Sequence, residues 1–457
     1  MATHSKIVAS RLRSTKVYKK SDKSASVQNF FERLPCTIVT KVLWYLDAPA
    51  LLSISCVNKR IHQLASDNAL WKNLYMSEFG KNKRQNPPPA DGLNMKVQDR
   101  PAGYWKRLFL STVEHCDTMK WKQLLGHVSR LTHLPSRTEQ VLRDSGVTWE
   151  LTVTSKSGQV CTLELSRSQF CKTSLTLCWS DRFYLPNYEE ISTLQLDGVR
   201  RIELRRLGLK KRSLMAKLDM QPLTKSAQVI GQDRLVQLKL LQPGFIVGLW
   251  RGQSSVAFFM FTLHFHKLME RSTQGSAACP YTEPIIKPPF DDVDPDYGLH
   301  GYHVHFALHN TTCELLSENF SQLCCPKDQI SEGFIRLTAV SRTNLAQHTP
   351  VLGRITLPWQ CEVLQGSVEN CCIMSLTLLD EFRKPFKCVC SPVSMELEKT
   401  SVCLDYSDDH FLIHHKEPDV QVKMELAWSR EQEKFLLISL VIYVSVHEVN
   451  KHFSREY

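Results

Sequence analysis

Six histidines are the residues whose spacing could support chemistry. Alternate residues of a strand point to the same face, so imidazoles at such spacing could together hold a metal ion for hydrolysis. Four of them surround one predicted strand and two lie on another: His300, His303, His305 and His309, and His264 and His266. Zinc sites are normally marked by closely spaced Cys or His pairs, and the chain has no Cys-x-x-Cys. We therefore interpret these histidines as structural and expect no metal.

An acidic run is a second possible cation site. A run of four aspartates resembles the start of a calcium-binding loop: Asp291, Asp292, Asp294 and Asp296. However, Tyr297 occupies the position where the sharp turn needs glycine, and His303 the position of the bidentate glutamate. We interpret the aspartates as solvated loop residues.

The motifs of common enzyme classes are missing from the sequence. It contains no glycine-rich phosphate loop, no serine-nucleophile elbow and no kinase motif set. The 16 cysteines are more typical of reduced thiols and core residues than of disulfides in a chain of this length, and none can be singled out as a nucleophile. We expect a protein that is not an enzyme and needs no cofactor.

The strongest charge feature is a basic segment in the middle of the chain. The formal net charge is +11, and residues 200–217 concentrate basic side chains within the run VRRIELRRLGLKKRSLMAKL. Lysine and arginine gain affinity for phosphates by releasing counterions, so nucleic-acid binding through 200–217 is the alternative function. The run lacks aromatics for base stacking, which makes a solvated basic face or loop the simpler interpretation.

Hydropathy favours a protein that stays inside the cell. The first thirty residues lack the continuous apolar core of a secretion signal. The longest apolar stretch, FLLISLVIYVSV at 435–446, is shorter than the ~20 residues of a membrane-spanning helix and predicts a buried strand. We expect an intracellular location, in the cytoplasm, the nucleus or both, and no membrane partner.

Apolar spacing divides the chain into a helical part and a β part. Helical spacing runs from Leu34 to Phe79, and short alternating runs begin near Val147, with a hairpin predicted to turn at Ser157-Gly158. The predicted fold is α+β: a small N-terminal helical module followed by a mostly antiparallel β body, sandwich- or barrel-like. The predicted segments are a disordered basic tail (1–28), the helical module (29–79), a linker (80–103), a helical bridge (104–146), a β-rich domain (147–272), a loop (273–298) and a second β-rich domain (299–457).

A series of landmarks runs through the helical module. They are Leu34-Pro35, Ile38-Val39, Val42-Leu43, Leu46-Asp47, Leu51-Leu52, Val57, Leu64-Ala65, Asp67 and Leu70-Trp71. This spacing resembles the F-box, the helical module that docks on the Skp adaptor of a cullin-based ubiquitin ligase. Cys36 and Thr37 stand where the family usually has an acid that complements the helix N-terminus, and Asn58 and Ile61 replace the usual Cys and Trp.

Segments near the C-terminus extend the resemblance. DYGLHGYHVHFALH, ITLPW, SLTLLDEFRKPF and FSREY resemble the C-terminal part of "F-box only" proteins. The resemblance implies a non-catalytic substrate-recognition subunit of an SCF-type (Skp, cullin, F-box) ubiquitin ligase. The implied partners are the Skp adaptor, the cullin and a protein target that the sequence does not identify.

The resemblance also implies which residues dock on the adaptor. They are Leu34, Pro35, Ile38, Val39, Val42, Leu43, Leu46, Leu51, Leu52, Val57, Leu64, Leu70 and Trp71. Trp44 projects away from the apolar side of its helix, where it is either a surface residue or an extra contact with a partner. No residue can be assigned to target binding.

Overall fold

The structure is a computed structural model that describes residues 33–80, 101–180, 185–204, 207–289, 293–361, 364–398 and 409–457. The chain divides into two compact units, Met1–Thr112 and Val113–Tyr457. The predicted basic tail and nearly all of the predicted linker lie outside the described residues. The domain boundaries given above remain predictions.

Four short helices follow one another in the N-terminal module. They are α1 (Cys36–Leu43), α2 (Ala48–Ile54), α3 (Lys59–Ala65) and α4 (Asn68–Phe79). Three of them begin at a side chain that accepts a hydrogen bond from a backbone N–H of the first turn, which the helix itself leaves unpaired. These pairs are Asp47 with Ala50 at 2.9 Å, Asn58 with Ile61 at 2.8 Å and Asp67 with Ala69 at 2.7 Å.

Aromatic packing joins α4 to the start of α5 (Tyr104–Leu124). The Trp71 ring meets Phe109 edge to face with centroids 5.4 Å apart, and Tyr75 meets Trp105 at 5.6 Å. The Trp71 indole N–H donates to the Ala65 carbonyl at 2.7 Å. This hydrogen bond satisfies the one polar atom of a side chain that is otherwise fully buried.

The first ten strands of the second unit form two antiparallel sheets. They are β1 (Val147–Ser155), β2 (Val160–Leu163), β3 (Arg167–Phe170), β4 (Ser174–Trp179), β5 (Ile191–Leu204), β6 (Leu207–Asp219), β7 (Gln228–Gln232), β8 (Val236–Gln242), β9 (Phe245–Trp250) and β10 (Val256–His264). The strand orders are β2-β1-β5-β6 and β3-β4-β10-β9-β8-β7. The predicted hairpin is present as β1 and β2, and Gly158 in its turn has a φ of 83°, a value that favours glycine.

The remaining strands build a nine-stranded and a two-stranded sheet. They are β11 (Tyr302–His309), β12 (Glu314–Leu323), β13 (Phe334–Val340), β14 (Thr349–Pro350), β15 (Thr356–Cys361), β16 (Leu364–Glu369), β17 (Cys371–Leu379), β18 (Pro385–Leu397), β19 (His410–Lys416), β20 (Val420–Ser429) and β21 (Lys434–Ser445). The larger sheet runs β12-β11-β17-β18-β19-β20-β21-β13, with β14 on β21, and β15 pairs with β16.

The nine-stranded sheet is nearly closed. Its two end strands, β12 and β13, lie near each other, and a large apolar cluster built by most of its strands includes Phe306, Leu376 and Leu440. Alternating side chains of a curved sheet fill such an interior. The predicted fold class, helices followed by a mostly antiparallel and barrel-like β body, is confirmed.

The apolar stretch near the C-terminus is strand β21, as its branched residues predicted. It pairs with β20 and β13, and most of its side chains are buried. None of the described helices is both long and apolar enough to cross a lipid bilayer.

Four further short helices complete the second unit. They are α6 (Thr138–Asp144), α7 (Met220–Ser226), α8 (Leu268–Thr273) and α9 (Val446–Phe453). Another apolar cluster combines residues of the six-stranded sheet with residues of β15 to β18. In this cluster Phe258 stacks on Trp359 with ring centroids 5.7 Å apart.

Candidate functional site

The structure separates the thirteen predicted docking residues by burial. Five lie in the interior of the helical module and are at most 4% exposed: Val39, Leu43, Leu51, Leu70 and Trp71. Side chains this deeply buried pack on neighbouring helices of the same chain. They hold the helices together and do not face solvent.

A second group of the predicted residues is accessible. Ile38 and Val42 of α1 are 43% and 45% exposed, and Val57, just before α3, is 63% exposed. Because residues four apart lie on one side of a helix, Ile38 and Val42 form a single apolar strip along α1. The other accessible members are Pro35, which is exposed, and Leu34, Leu46, Leu52 and Leu64, which are half-buried.

Two aromatic residues directly after α1 add to the exposed apolar side chains. Trp44 is 46% exposed and Tyr45 is 92% exposed. The sequence left the role of Trp44 open and did not single out Tyr45. The sequence signal for Tyr45 is its place in the apolar run Trp44-Tyr45-Leu46. Local spacing does not decide which residues of this run are buried and which are exposed.

Within the described residues, the first turn of α1 supplies no negative charge to complement the helix dipole. Its first turn contains no acidic residue, and Pro35 at its N-cap offers no side-chain hydrogen bond. Instead, Arg60 of α3 donates to the Leu34 carbonyl at 2.6 Å. This contact ties the residue before α1 to α3, so that the predicted docking residues Leu34 and Pro35 are held against the module.

The six histidines are distributed among different polar partners. Five of them lie close to a side chain of another kind: His264 to Thr377 at 2.9 Å, His266 to Glu283 at 2.8 Å, His300 to Asp294 at 2.5 Å, His305 to Asn319 at 3.0 Å and His309 to Ser174 at 2.8 Å. Burial lowers the pKa of His264 and His309, which keeps both neutral. These contacts support a structural role for the histidines.

The acidic run is described only in part. Asp291 and Asp292 lie outside the described residues. Asp294 accepts from His300, and that contact holds the pKa of the Asp294 carboxyl below its ordinary value.

The described residues of the basic segment 200–217 lie in the hairpin of β5 and β6, where the sequence had predicted no strand. Three of these described cations contact carboxylates. Lys210 and Arg212 meet Glu150 at 3.1 and 2.5 Å, and Lys211 meets Glu114. Less of its charge is therefore available to phosphates than the sequence alone indicates.

Comparison with known proteins matches both parts of the chain. An F-box-like family model matches residues 31–77. F-box only protein 15 from Macaca fascicularis is 35% identical over 437 residues, which are 93% of this chain and 100% of that protein. F-box only protein 15 from Homo sapiens is 34% identical over 441 residues, 94% of this chain and 86% of that protein. The bovine protein of the same name is 33% identical over 469 residues, 98% of each.

Solved structures add nothing to this assignment. A protein of unknown function from Nostoc punctiforme matches with 10% identity and a TM-score of 0.14, over 68% of this chain and 99% of its own length. The relatives, by contrast, cover the helical module and the β body together. This chain therefore belongs to the F-box only protein 15 family and carries an F-box-like module in its helical part.

Proposed function

We propose that this chain is the substrate-recognition subunit of an SCF-type ubiquitin ligase. Its helical module docks on the Skp adaptor and thereby on the cullin, and its β body binds the protein to be ubiquitinated. Binding both partners raises the local concentration of the target near the conjugating enzyme, so that ubiquitin transfer becomes effectively intramolecular.

The observation that carries this proposal is the apolar surface of the family-matched module. Ile38, Val42 and Val57, together with Trp44 and Tyr45, present large apolar side chains to solvent within a short stretch of chain. Several exposed apolar side chains within one small module favour a surface that a partner covers. We name these five residues the docking set.

The buried members of the predicted site have a supporting role in this proposal. Val39 and Leu43 lie on the inward side of α1, so they set the position of Ile38 and Val42 without touching the adaptor. Leu51, Leu70 and Trp71 act in the same way from α2 and α4.

Three buried or half-buried cysteines of the β body are poorly suited to nucleophilic catalysis. Burial raises the pKa of Cys171 to about 11 and that of Cys178 and Cys371 to about 12. Such thiols stay protonated at neutral pH and are poor nucleophiles. In this proposal other subunits carry the ubiquitin thioester. We also propose that the chain acts in the cytoplasm, the nucleus or both.

Adaptor docking can be tested with the double variant Ile38→Asp, Val42→Asp in the full-length chain. Two carboxylates in an apolar interface lose their hydration, so we expect co-purification with the Skp adaptor and cullin to fall by at least about tenfold. Asn73→Asp is the matched control, because it adds a carboxylate at an exposed position of α4. Undiminished co-purification of the folded double variant would contradict the proposal.

A further inference from the structure

The second unit contains a cavity of about 500 Å³. Its walls come from the end of β10, from α8, from residues 281–286, from the start of β18 and from α9. A volume of this size is typical of sites that enclose a small ligand or a few side chains of a peptide.

The described part of the chain supplies no counter-ion to two cations of the cavity wall. Within the described part of the chain, neither the Arg271 guanidinium nor the Lys384 ammonium forms an ion pair with a carboxylate. The other three lysines of the wall each lie near one: Lys267 is 3.8 Å from Glu270, Lys387 is 3.7 Å from Asp419, and Lys451 is 3.7 Å from Glu448. The free positive charge of the cavity is therefore concentrated at Arg271 and Lys384.

Neighbouring thiols do not neutralise Arg271. Cys388 and Cys390 lie close to its charge. Burial raises the pKa of the Cys388 thiol far above its ordinary value and that of Cys390 to about 12, so both remain uncharged at neutral pH. Burial also lowers the pKa of Arg271 itself, but an arginine starts so high that it stays charged.

His264, which lines the same cavity, is held in its neutral form. Its Nδ1 accepts a hydrogen bond from the His266 backbone N–H at 3.0 Å, and its Nε2 lies 2.9 Å from the Thr377 hydroxyl, so His264 carries its proton on Nε2. The Glu283 carboxylate, which also lines the cavity, lies 2.8 Å from His266 Nε2 and 3.9 Å from Lys267 Nζ. Neither group supplies a free negative charge to Arg271.

An apolar wall lies beside these cations. Ile285 and Ile286 are 61% and 69% exposed, and the half-buried ring of Phe386 lines the same cavity. Exposed isoleucines in the same cavity as the Arg271 guanidinium match a ligand that carries both an anionic and an apolar group.

We propose that this cavity binds an acidic segment of the target protein. A carboxylate of that segment lies on Arg271 and Lys384, and a neighbouring apolar side chain packs on Ile285, Ile286 and Phe386. The inference rests on the proposed function, because it assigns the target-binding site of that receptor.

Two features favour a carboxylate segment. The planar guanidinium can form two parallel hydrogen bonds to a carboxylate. Charge complementarity also raises the association rate of an acidic partner and its selectivity over other partners. A phosphorylated peptide would call for a cluster of arginines, and Arg271 is the single arginine among the described residues of the wall.

The test is a selection of short random peptides displayed on phage against the immobilised full-length chain. We expect the enriched peptides to carry Asp or Glu next to an apolar residue. Arg271→Gln and Lys384→Glu should each lower their binding about 10- to 100-fold, the loss expected for a hydrogen bond between charged groups. Lys384 is exposed, so its variant stays informative if Arg271→Gln disturbs folding.

Matched controls exist on the same unit. Arg234→Gln and Lys225→Glu make the same changes at exposed positions away from the cavity and should leave peptide binding unchanged. Three outcomes would overturn the inference. The selected peptides could show no preference for acidic residues, the acidic preference could survive in both cavity variants, or no peptide could be enriched. Much tighter binding after the acid is replaced by phosphoserine would also overturn it, in favour of a phosphopeptide site.

The selection uses the chain without the adaptor, so it separates the two proposals. The variant Ile38→Asp, Val42→Asp should select the same peptides as the wild-type chain. Adaptor binding without peptide selection would remove this inference alone, and peptide selection without adaptor binding would remove the docking proposal alone.

Discussion

Neighbouring residues of α1 have opposite roles. Val39 and Leu43 are buried, whereas Ile38 and Val42, one position before each, are exposed. Successive helical residues are about 100° apart, so a wide apolar arc covers both the inward side and an accessible side. Substitutions in α1 should therefore divide into those that unfold the module and those that only remove docking.

A substitution of Trp71 tests whether loss of a buried side chain unfolds the module. Trp71 is fully buried, packs on Phe109 and donates to the Ala65 carbonyl. Trp71→Ala should lower the free energy of unfolding of the module by about 3–5 kcal/mol, because it leaves a large cavity and an unpaired carbonyl. Hydrogen exchange measured by mass spectrometry should show lost protection across residues 36–79.

Trp44 provides the comparison for Trp71. It is 46% exposed, so Trp44→Ala should leave amide protection in α1 to α4 unchanged and should weaken only adaptor docking. Equal loss of protection in both variants would show that Trp44 supports the fold and does not belong to the docking set.

At the scale of the element, α1 begins without favourable electrostatics. No acid lies in its first turn, and its N-cap residue Pro35 makes no side-chain cap, while α2, α3 and α4 all begin with one. Positions 36 and 37, where the F-box pattern usually has an acid, hold Cys36 and Thr37. The helix that carries Ile38 and Val42 of the proposed docking set is thus the least well capped of the four.

Thr37→Glu should supply the acidic residue that the first turn of α1 lacks. A carboxylate in the first turn stabilises a helix by about 0.3–1 kcal/mol at low salt. Amide protection in α1 should rise, and adaptor affinity, measured by calorimetry, should increase about two- to fivefold if docking requires a formed helix.

Thr37→Gln separates charge from side-chain length in this experiment. It has nearly the same shape as glutamate and no charge, so it should give no gain. The gain of Thr37→Glu should also shrink at high salt, where exposed charges are screened. An equal effect of both variants would exclude the helix dipole as the cause.

At the scale of the whole molecule, buried histidines make stability depend on pH. Burial lowers the pKa of His264 and His309 below the ordinary value of 6.5; His266, Arg271 and His305 lower the pKa of His264 further, whereas Asn310 and Glu314 oppose the shift at His309. In the unfolded chain both residues bind a proton near pH 6.5, but in the folded chain only at lower pH. Unfolding therefore takes up protons, and stability falls as the pH drops below about 6.5.

Denaturant unfolding of the full chain between about pH 7 and pH 5 measures this effect. Each histidine contributes a slope of up to about 1.4 kcal/mol per pH unit, so His264→Gln and His309→Gln should each make the pH dependence shallower. His115→Gln, at an exposed position of α5, is the matched control substitution. An unaltered slope in both buried variants would show that other groups set the acid sensitivity.

Much of the fold could be predicted because its signals are local. The helical spacing of α1 to α4 and the alternation or apolar runs of strands such as β10 and β21 follow from which residues each element buries. Strand β6 was missed because consecutive cations at Lys210, Lys211 and Arg212 interrupt its alternation. Their carboxylate partners, Glu150 and Glu114, come from segments distant in the chain, so the compensation was not visible in the sequence.

The sequence by itself determined the family, the helical module and the β class of the body, because spacing and periodicity are properties of short segments. Only the tertiary structure decided which apolar residues of the module remain exposed and how nine strands close into one sheet. It also decided that Arg271 and Lys384 share a cavity in which no carboxylate of the described residues pairs with them. These features depend on contacts between residues far apart in the chain, which local patterns do not encode.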